Sequence, residues 1–264
     1  MSELAGGRIL VTGALGQIGT DLVKSLREVH GSENIISSDI REIPNHPCIL
    51  GGPFSILDVL DEDKISEIVE NENIRVIYHL AAILSAKGEE NPELCELINV
   101  VGTRNILEAA KRHSIRVFVP SSIAVFGPDA PKHAPQITPL NPTTKYGMTK
   151  VDCEIMGMLY WKKYGVDVRG IRYPGLISWQ SPVSGGTTDY AVEIFHSAIS
   201  SLQSYECFVR SDTKLPMMYM DDAIRATIAL MDVPIESLSD ARCGYNISGP
   251  VSYTHLTLPT SYAV

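Results

Sequence analysis

The sequence predicts an α/β protein, a doubly wound parallel sheet completed by a smaller substrate region toward the C-terminus. Three observations predict it. Through the first half, short β-branched runs alternate with helical stretches, the pattern of parallel strands joined by crossover helices. Most of those runs are apolar without alternation, as expected of strands covered on both faces. After Arg172 the texture changes: Tyr173-Pro174-Gly175 breaks a strand, and Gly185-Gly186-Thr187-Thr188 opens a less regular region.

In chain order, strands are expected over 8–12 (RILVT), 35–39 (IISSD), 75–80 (RVIYHL), 116–120 (RVFVP) and 167–172 (DVRGIR), all short and most of them β-branched. Helices are expected over 17–29, 61–70, 92–113, 144–164, 190–202 and 222–231. Pro92 suits a first helical turn, where its missing amide costs nothing. No internal repeat or biased tract interrupts this order.

Composition sets the outer limits. A chain of 264 residues allows one large domain or one domain with a smaller partner. Hydrophobic residues at 44% and charged residues at 20%, with mean hydropathy +0.05, exclude a disordered chain. No stretch approaches the roughly 20 uncharged apolar residues of a membrane span, and the start lacks the basic-then-apolar plan of a secretion signal. No membrane contact is expected, and the expected compartment is the cytoplasm, with a mitochondrial matrix form as the alternative. A net charge of −9 repels phosphate backbones at long range, so nucleic acid is not expected as a partner. Cys48, Cys95, Cys153, Cys207 and Cys243 are odd in number and widely spaced, and the histidines form no HxxxH or HExxH pair. Neither a disulfide framework nor a metal site is expected.

The segment 8–12 runs into Gly13-Ala14-Leu15-Gly16-Gln17-Ile18-Gly19, after which a helix begins. Glycines there let the chain turn tightly, let a pyrophosphate approach the positive helix end, and let helix and strand pack closely. Asp39 closes the next strand 20 residues past Gly19 (39 minus 19), where a carboxylate accepts hydrogen bonds from the adenosine ribose and repels a 2′-phosphate. This is the Rossmann dinucleotide signature. NAD is expected over NADP, with Arg41 nearby as the residue that argues the other way.

These residues resemble the extended short-chain dehydrogenase/reductase family over roughly residues 8 to 249. The glycines have its GxxGxxG spacing. Leu57-Asp58, Leu80-Ala81-Ala82, Asn99 in Asn99-Val100-Val101-Gly102-Thr103, Ser121-Ser122, and Tyr146 with Lys150 as a YxxxK pair follow in its order. The resemblance implies cofactor contacts from Gly13, Leu15, Gly16, Gln17, Ile18, Gly19, Asp39, Ile40, Arg41, Leu57, Asp58, Leu80, Ala81, Ala82, Asn99, Tyr146, Lys150, Tyr173 and Leu176. Within the family, residues 172–175, 185–191 and 215–219 look like the branch that oxidises L-threonine at its 3-hydroxyl with NAD, to 2-amino-3-oxobutanoate and without metal. That implies Ser122, Tyr146 and Lys150 as catalytic residues. It also implies Ser85, Ser121, Ser122, Tyr146, Gly186 and Thr187 as substrate contacts, and a homodimer paired through Met156, Leu159 and Tyr160 and the 92–113 helix.

The chemistry asks for these types. An ordinary phenol, with pKa ~10, is a poor base at neutral pH. Tyr146 and Lys150 stand at i and i+4, so on a helix they share a face and the ammonium stabilises the phenolate. Ser122 aligns with the family's catalytic hydroxyl, with Ser121 as runner-up. A nucleotide-sugar epimerase or reductase and a non-catalytic NAD sensor are the rival readings. Few basic residues in the second half speak against the first, and the retained Tyr146 and Lys150 against the second.

The domains expected are a dinucleotide-binding unit over 1–172, with 215–249 returning to it in part, and a substrate-binding region over 173–214. The final stretch, 250–264, is expected to be a non-native or truncated tail: from Val251 it carries no Asp, Glu, Lys or Arg and no helical period.

Overall fold

A computed structural model describes residues 6–178, 189–200, 205–207, 209–210, 213–247 and 251–253. In chain order the elements are β1 (Arg8–Thr12), α1 (Gln17–His30), β2 (Ile35–Asp39), α2 (Pro47–Leu50), β3 (Phe54–Ile56), α3 (Glu62–Asn71) and β4 (Ile74–His79). Then come α4 (Ser85–Glu90), α5 (Pro92–Glu96), α6 (Gly102–His113), β5 (Arg116–Phe118), β6 (Ser121–Ser122), α7 (Lys145–Tyr164) and β7 (Val168–Arg169). The last are β8 (Ile171–Tyr173), β9 (Gly175–Ile177), α8 (Tyr190–Ile199), β10 (Lys214–Tyr219), α9 (Met220–Asp232), β11 (Tyr245–Asn246) and β12 (Val251–Tyr253).

Six strands form one parallel sheet in the order β3-β2-β1-β4-β5-β7. The chain winds outward from β1 in one direction through β2 and β3, and in the other through β4, β5 and β7. That reversal opens a crevice beyond the carboxyl ends of β1 and β4. Side-chain alternation along each strand divides the core. Leu10, Ile36, Ile77 and Val117 pack with Ile65, Ile68, Ile106 and Leu107. Ile9, Val11, Ile35, Tyr78 and Phe118 pack with Leu22, Leu26, Ala223 and Ile224. Both faces are covered, which is why these strands read as unbroken apolar runs.

Two smaller sheets extend past the carboxyl edge. β6, β8 and β11 pair in parallel, while β10 lies parallel to β9 and antiparallel to β12. The 167–172 run is divided between sheets at Gly170, where a Cβ would meet the Cys243 carbonyl at 2.5 Å and the Val119 carbonyl at 2.6 Å. Only a glycine lets three backbones converge there. The expected 92–113 helix carries a π turn at Leu97–Val101. The short helices α2 and α4 carry too few residues for a periodic signal. Among the described residues no helix is long and apolar enough to cross a membrane, and no group of His, Cys, Asp and Glu is arranged to hold a metal ion.

Candidate active site

The glycine turn is built by close approach. Gly13 ends β1 at φ +65°, and a Cβ there would lie 2.6 Å from the Ala81 amide nitrogen and 2.8 Å from the Leu80 carbonyl carbon. Its turn thus rests directly on the Leu80-Ala81-Ala82 segment leaving β4. Gly19 presses α1 onto the strand, with a virtual Cβ 2.5 Å from the Gly13 carbonyl oxygen. Gly16 is the N-cap of α1 and provides no side-chain cap, so the first helical amides beside Gln17 and Ile18 stay open to an anion. The Gln17 side-chain nitrogen is buried there without a hydrogen-bond partner.

Asp39, 6% exposed, ends β2 and turns back to this loop. One carboxylate oxygen accepts from the Leu15 amide at 3.3 Å; the other accepts from the Arg41 amide and from Arg41 Nε at 3.2 and 3.4 Å. Ile40 beside it is exposed. Leu57 is buried, and Asp58 is half-buried with Oδ1 accepting from the Leu60 amide at 2.9 Å. An uncapped helix start, an orphaned amide and a buried carboxylate at the next strand end fit a dinucleotide. Leu176 is half-buried against the core. Tyr173 has its side chain wholly in the core, its hydroxyl hydrogen-bonded to Thr227 and its ring 6.3 Å from that of Phe118. The structure therefore leaves only the Tyr173 backbone to serve a cofactor, because the period-2 alternation of β8 turns this side chain inward.

Across the crevice stands α7. Thr144 caps it by accepting from the Gly147 amide at 3.1 Å, and Glu89 of α4 accepts from the Lys145 amide at 2.7 Å. A Cβ on Gly147 would sit 2.3 Å from the Ala124 carbonyl oxygen, so the helix start presses on the turn after β6. Tyr146, half-buried, and Lys150, buried, stand one turn apart and face the same way: Lys150 Nζ is 5.5 Å from the Tyr146 ring centroid. Lys150 is 5% exposed and donates to the Pro120 carbonyl at 3.0 Å.

The two serines part company. Ser122 is half-buried, and its Oγ accepts from the Ala124 amide at 3.2 Å, leaving the hydroxyl proton to donate elsewhere. Ser121, 5% exposed, donates to Glu154 Oε1 at 2.5 Å. Asn99 lies in the π turn and reaches back to the loop after β4. Its Oδ1 accepts from the Ile83 amide at 2.8 Å, and its Nδ2 donates to the Ile83 carbonyl and to Thr149 Oγ1, both at 3.1 Å. It thus ties the crevice wall to α7 and is spent on protein contacts. Ser85 begins α4, half-buried. Gly186 and Thr187 lie outside the described residues.

Two groups near this site were not singled out by the sequence reading. Glu154 pairs with Arg172 through two hydrogen bonds of 2.8 and 2.7 Å; its position, four residues after Lys150, was the available signal. His79, at the end of β4, bonds through Nδ1 to Thr12 Oγ1 at 2.8 Å, and its Nε2 is buried without a partner. Burial, with Lys150 nearby, pushes its pKa down to about 3. Nothing in local sequence distinguishes such a histidine from one on a surface.

The reversed sheet, the glycine turn and the Tyr-Lys helix define a nucleotide-binding α/β protein. The chain belongs to the NAD dependent epimerase/dehydratase family, whose model matches residues 9–247. It is 47% identical over 254 residues to the mitochondrial L-threonine 3-dehydrogenase of Bos taurus, covering 96% of this chain and 67% of that one, so it spans about two thirds of that relative's length. A solved monomeric L-threonine 3-dehydrogenase from a metagenome, in apo form, superposes with TM-score 0.89 at 53% identity, covering 93% of this chain and 78% of that one. A GalE-like L-threonine dehydrogenase from Cupriavidus necator, in holo form, gives TM-score 0.89 at 45% identity over 94% and 79%.

Proposed function

We propose that the chain oxidises L-threonine at its 3-hydroxyl to 2-amino-3-oxobutanoate, using NAD. The observation that carries this reading is the placement of Lys150 Nζ 5.5 Å from the Tyr146 ring centroid, on a helix that Asn99 ties to the loop after β4. A cation 5.5 Å from the ring centre attracts the negative charge that develops on the phenol oxygen as its proton is lost. That stabilisation lets Tyr146 take the hydroxyl proton as a general base. Ser122, whose hydroxyl proton is free to donate, holds the reacting oxygen. Ser85, Gly186 and Thr187 are the proposed contacts for the amino-acid end.

The glycine turn with Gln17 and Ile18 would hold the pyrophosphate. Asp39 would hold the adenosine ribose and Asp58 the adenine side, and Leu80, Ala81, Ala82 and Leu176 would wall the remainder. When bound, NAD supplies the hydride acceptor. The Asp39 carboxylate, placed to accept from the ribose hydroxyls and to repel a 2′-phosphate, favours NAD over NADP, with Arg41 beside it largely exposed.

A second copy is the proposed partner. Met148, Ile155 and Leu159 of α7, with Leu94 and Leu97 beside them, are exposed. Tyr160, expected on that face, instead points inward, with its hydroxyl on Glu108 at 2.5 Å. The metagenomic relative described as monomeric makes sedimentation of this chain the direct check. The cytoplasm is the proposed compartment; the bovine relative is described as mitochondrial.

The test is a scan of L-threonine, D-threonine, L-serine and nucleotide sugars with NAD and NADP, read by absorbance of reduced nicotinamide. L-threonine with NAD is expected to stand out. Turnover of UDP-glucose or UDP-galactose in its place would assign the site to sugar chemistry.

A further inference from the structure

We propose that Ser121, Glu154 and Arg172 form a buried clamp that sets the position of Ser122 against Tyr146 and Lys150, so that Ser121 and Glu154 are positioning residues for the reaction. The inference rests on the threonine-oxidation reading for its kinetics, though not for its geometry.

Ser122 sits at the end of the two-residue strand β6, a segment too short to hold its own register. It is held from outside. Immediately before it, the Pro120 carbonyl receives Lys150 Nζ at 3.0 Å, and Ser121 Oγ donates to Glu154 Oε1 at 2.5 Å. Lys150 and Glu154 are one turn apart on α7, on the face that carries Tyr146 one turn earlier. One helix thus presents the base and also grips the segment bearing the serine at two successive residues.

Glu154 is itself fixed. Arg172 Nε and Nη2 grip its two carboxylate oxygens at 2.8 and 2.7 Å, and Arg172 Nη1 donates to Asn246 Oδ1 at 3.1 Å and to the Gln136 carbonyl at 3.4 Å. β8, which carries Arg172, pairs with β6 in register at Ser121↔Arg172, so the clamp closes on itself across the strand pair. Glu154 and Arg172 are each less than a tenth exposed. The space between Pro120, Ser121, Lys150 and Glu154 is too small for a water molecule. The connection is therefore direct and stiff, with no room for a water relay.

Removing the Ser121 hydroxyl is the cleanest perturbation, because Glu154 keeps both bonds to Arg172 and no buried charge loses its partner. Ser121→Ala is expected to lower kcat about tenfold or more while the L-threonine KM and the NAD Kd stay within twofold, since a displaced catalytic group costs rate rather than binding. Hydrogen exchange read on a peptide covering residues 119–126 is expected to quicken in Ser121→Ala by more than in peptides elsewhere in the sheet.

Wild-type kcat in Ser121→Ala, exchange no faster than wild type, or a raised KM at unchanged kcat would each overturn the clamp, the last by making Ser121 a substrate contact. Faster exchange in a chain that does not oxidise L-threonine would uphold the clamp and defeat the reading of the reaction. Faster exchange with wild-type kinetics would leave a merely structural bond and likewise overturn the proposal.

Discussion

Two glycines three residues apart in the same turn are expected to fail in different ways. Gly13 has φ +65°, and a Cβ there would stand 2.6 to 2.8 Å from three backbone atoms of Leu80 and Ala81. An L-residue in that left-handed conformation costs about 1–2 kcal/mol. Relieving the contact means moving β4's loop outward by roughly 0.6–0.8 Å, an overpacking cost of about 1–3 kcal/mol. Stiffening of the unfolded chain by alanine destabilises that state and offsets about 0.4–1 kcal/mol. Gly13→Ala is therefore expected to lose about 2–4 kcal/mol, a fall in Tm on the order of 10 °C for a chain of this size. Gly16 has φ −80°, and its nearest virtual contact is the Gly13 carbonyl oxygen at 3.3 Å. Gly16→Ala is expected to keep the wild-type Tm and to weaken NAD about tenfold or more by filling the approach to the open helix end. Calorimetry gives both readouts, Tm by scanning and Kd by titration. A Gly13→Ala protein with wild-type Tm, or a Gly16→Ala protein with wild-type NAD affinity, would refute the reasoning.

Three further outcomes are expected. Tyr146→Phe should lower kcat by about 10³-fold or more while leaving the NAD Kd unchanged; retained turnover, measured by reduced-nicotinamide absorbance, would remove the proposed base. Asp39→Ala should narrow the preference for NAD over NADP by about tenfold or more, read as the ratio of the two Kd values. His79 sets an acid limit: its folded pKa of about 3 lies below the unfolded value of about 6.5, so between these the unfolded chain binds more protons. Stability from this group is full above about pH 6.5 and falls as pH drops, by about 2 kcal/mol at pH 5. Burial of His30 and His46 lowers their pKa values and acts in the same direction. Tm followed from pH 7 to 5 should fall less steeply in His79→Gln; equal slopes would discharge His79 from that role.

The sequence alone determined the architecture and the turn chemistry. Unbroken apolar strands alternating with helices admit few arrangements other than a covered parallel sheet. Two of the three glycines are legible because the backbone itself requires them, Gly13 for its positive φ and Gly19 for the closeness of helix and strand; Gly16 is required only by the open approach to the helix end. Tyr146 and Lys150 are legible because helical spacing fixes their shared face. Only the tertiary structure shows that Ser121 is bonded to Glu154 while Ser122 is not. Adjacent residues on a strand point to opposite sides, but which side is core depends on Glu154 and Arg172, brought to Ser121 from elements 33 and 51 residues away. The same holds for Tyr173, claimed by Thr227 of α9, and for His79, whose partner Thr12 comes from a neighbouring strand. Local periodicity reports direction within one element. Burial and partnership are set by which elements the fold lays beside it.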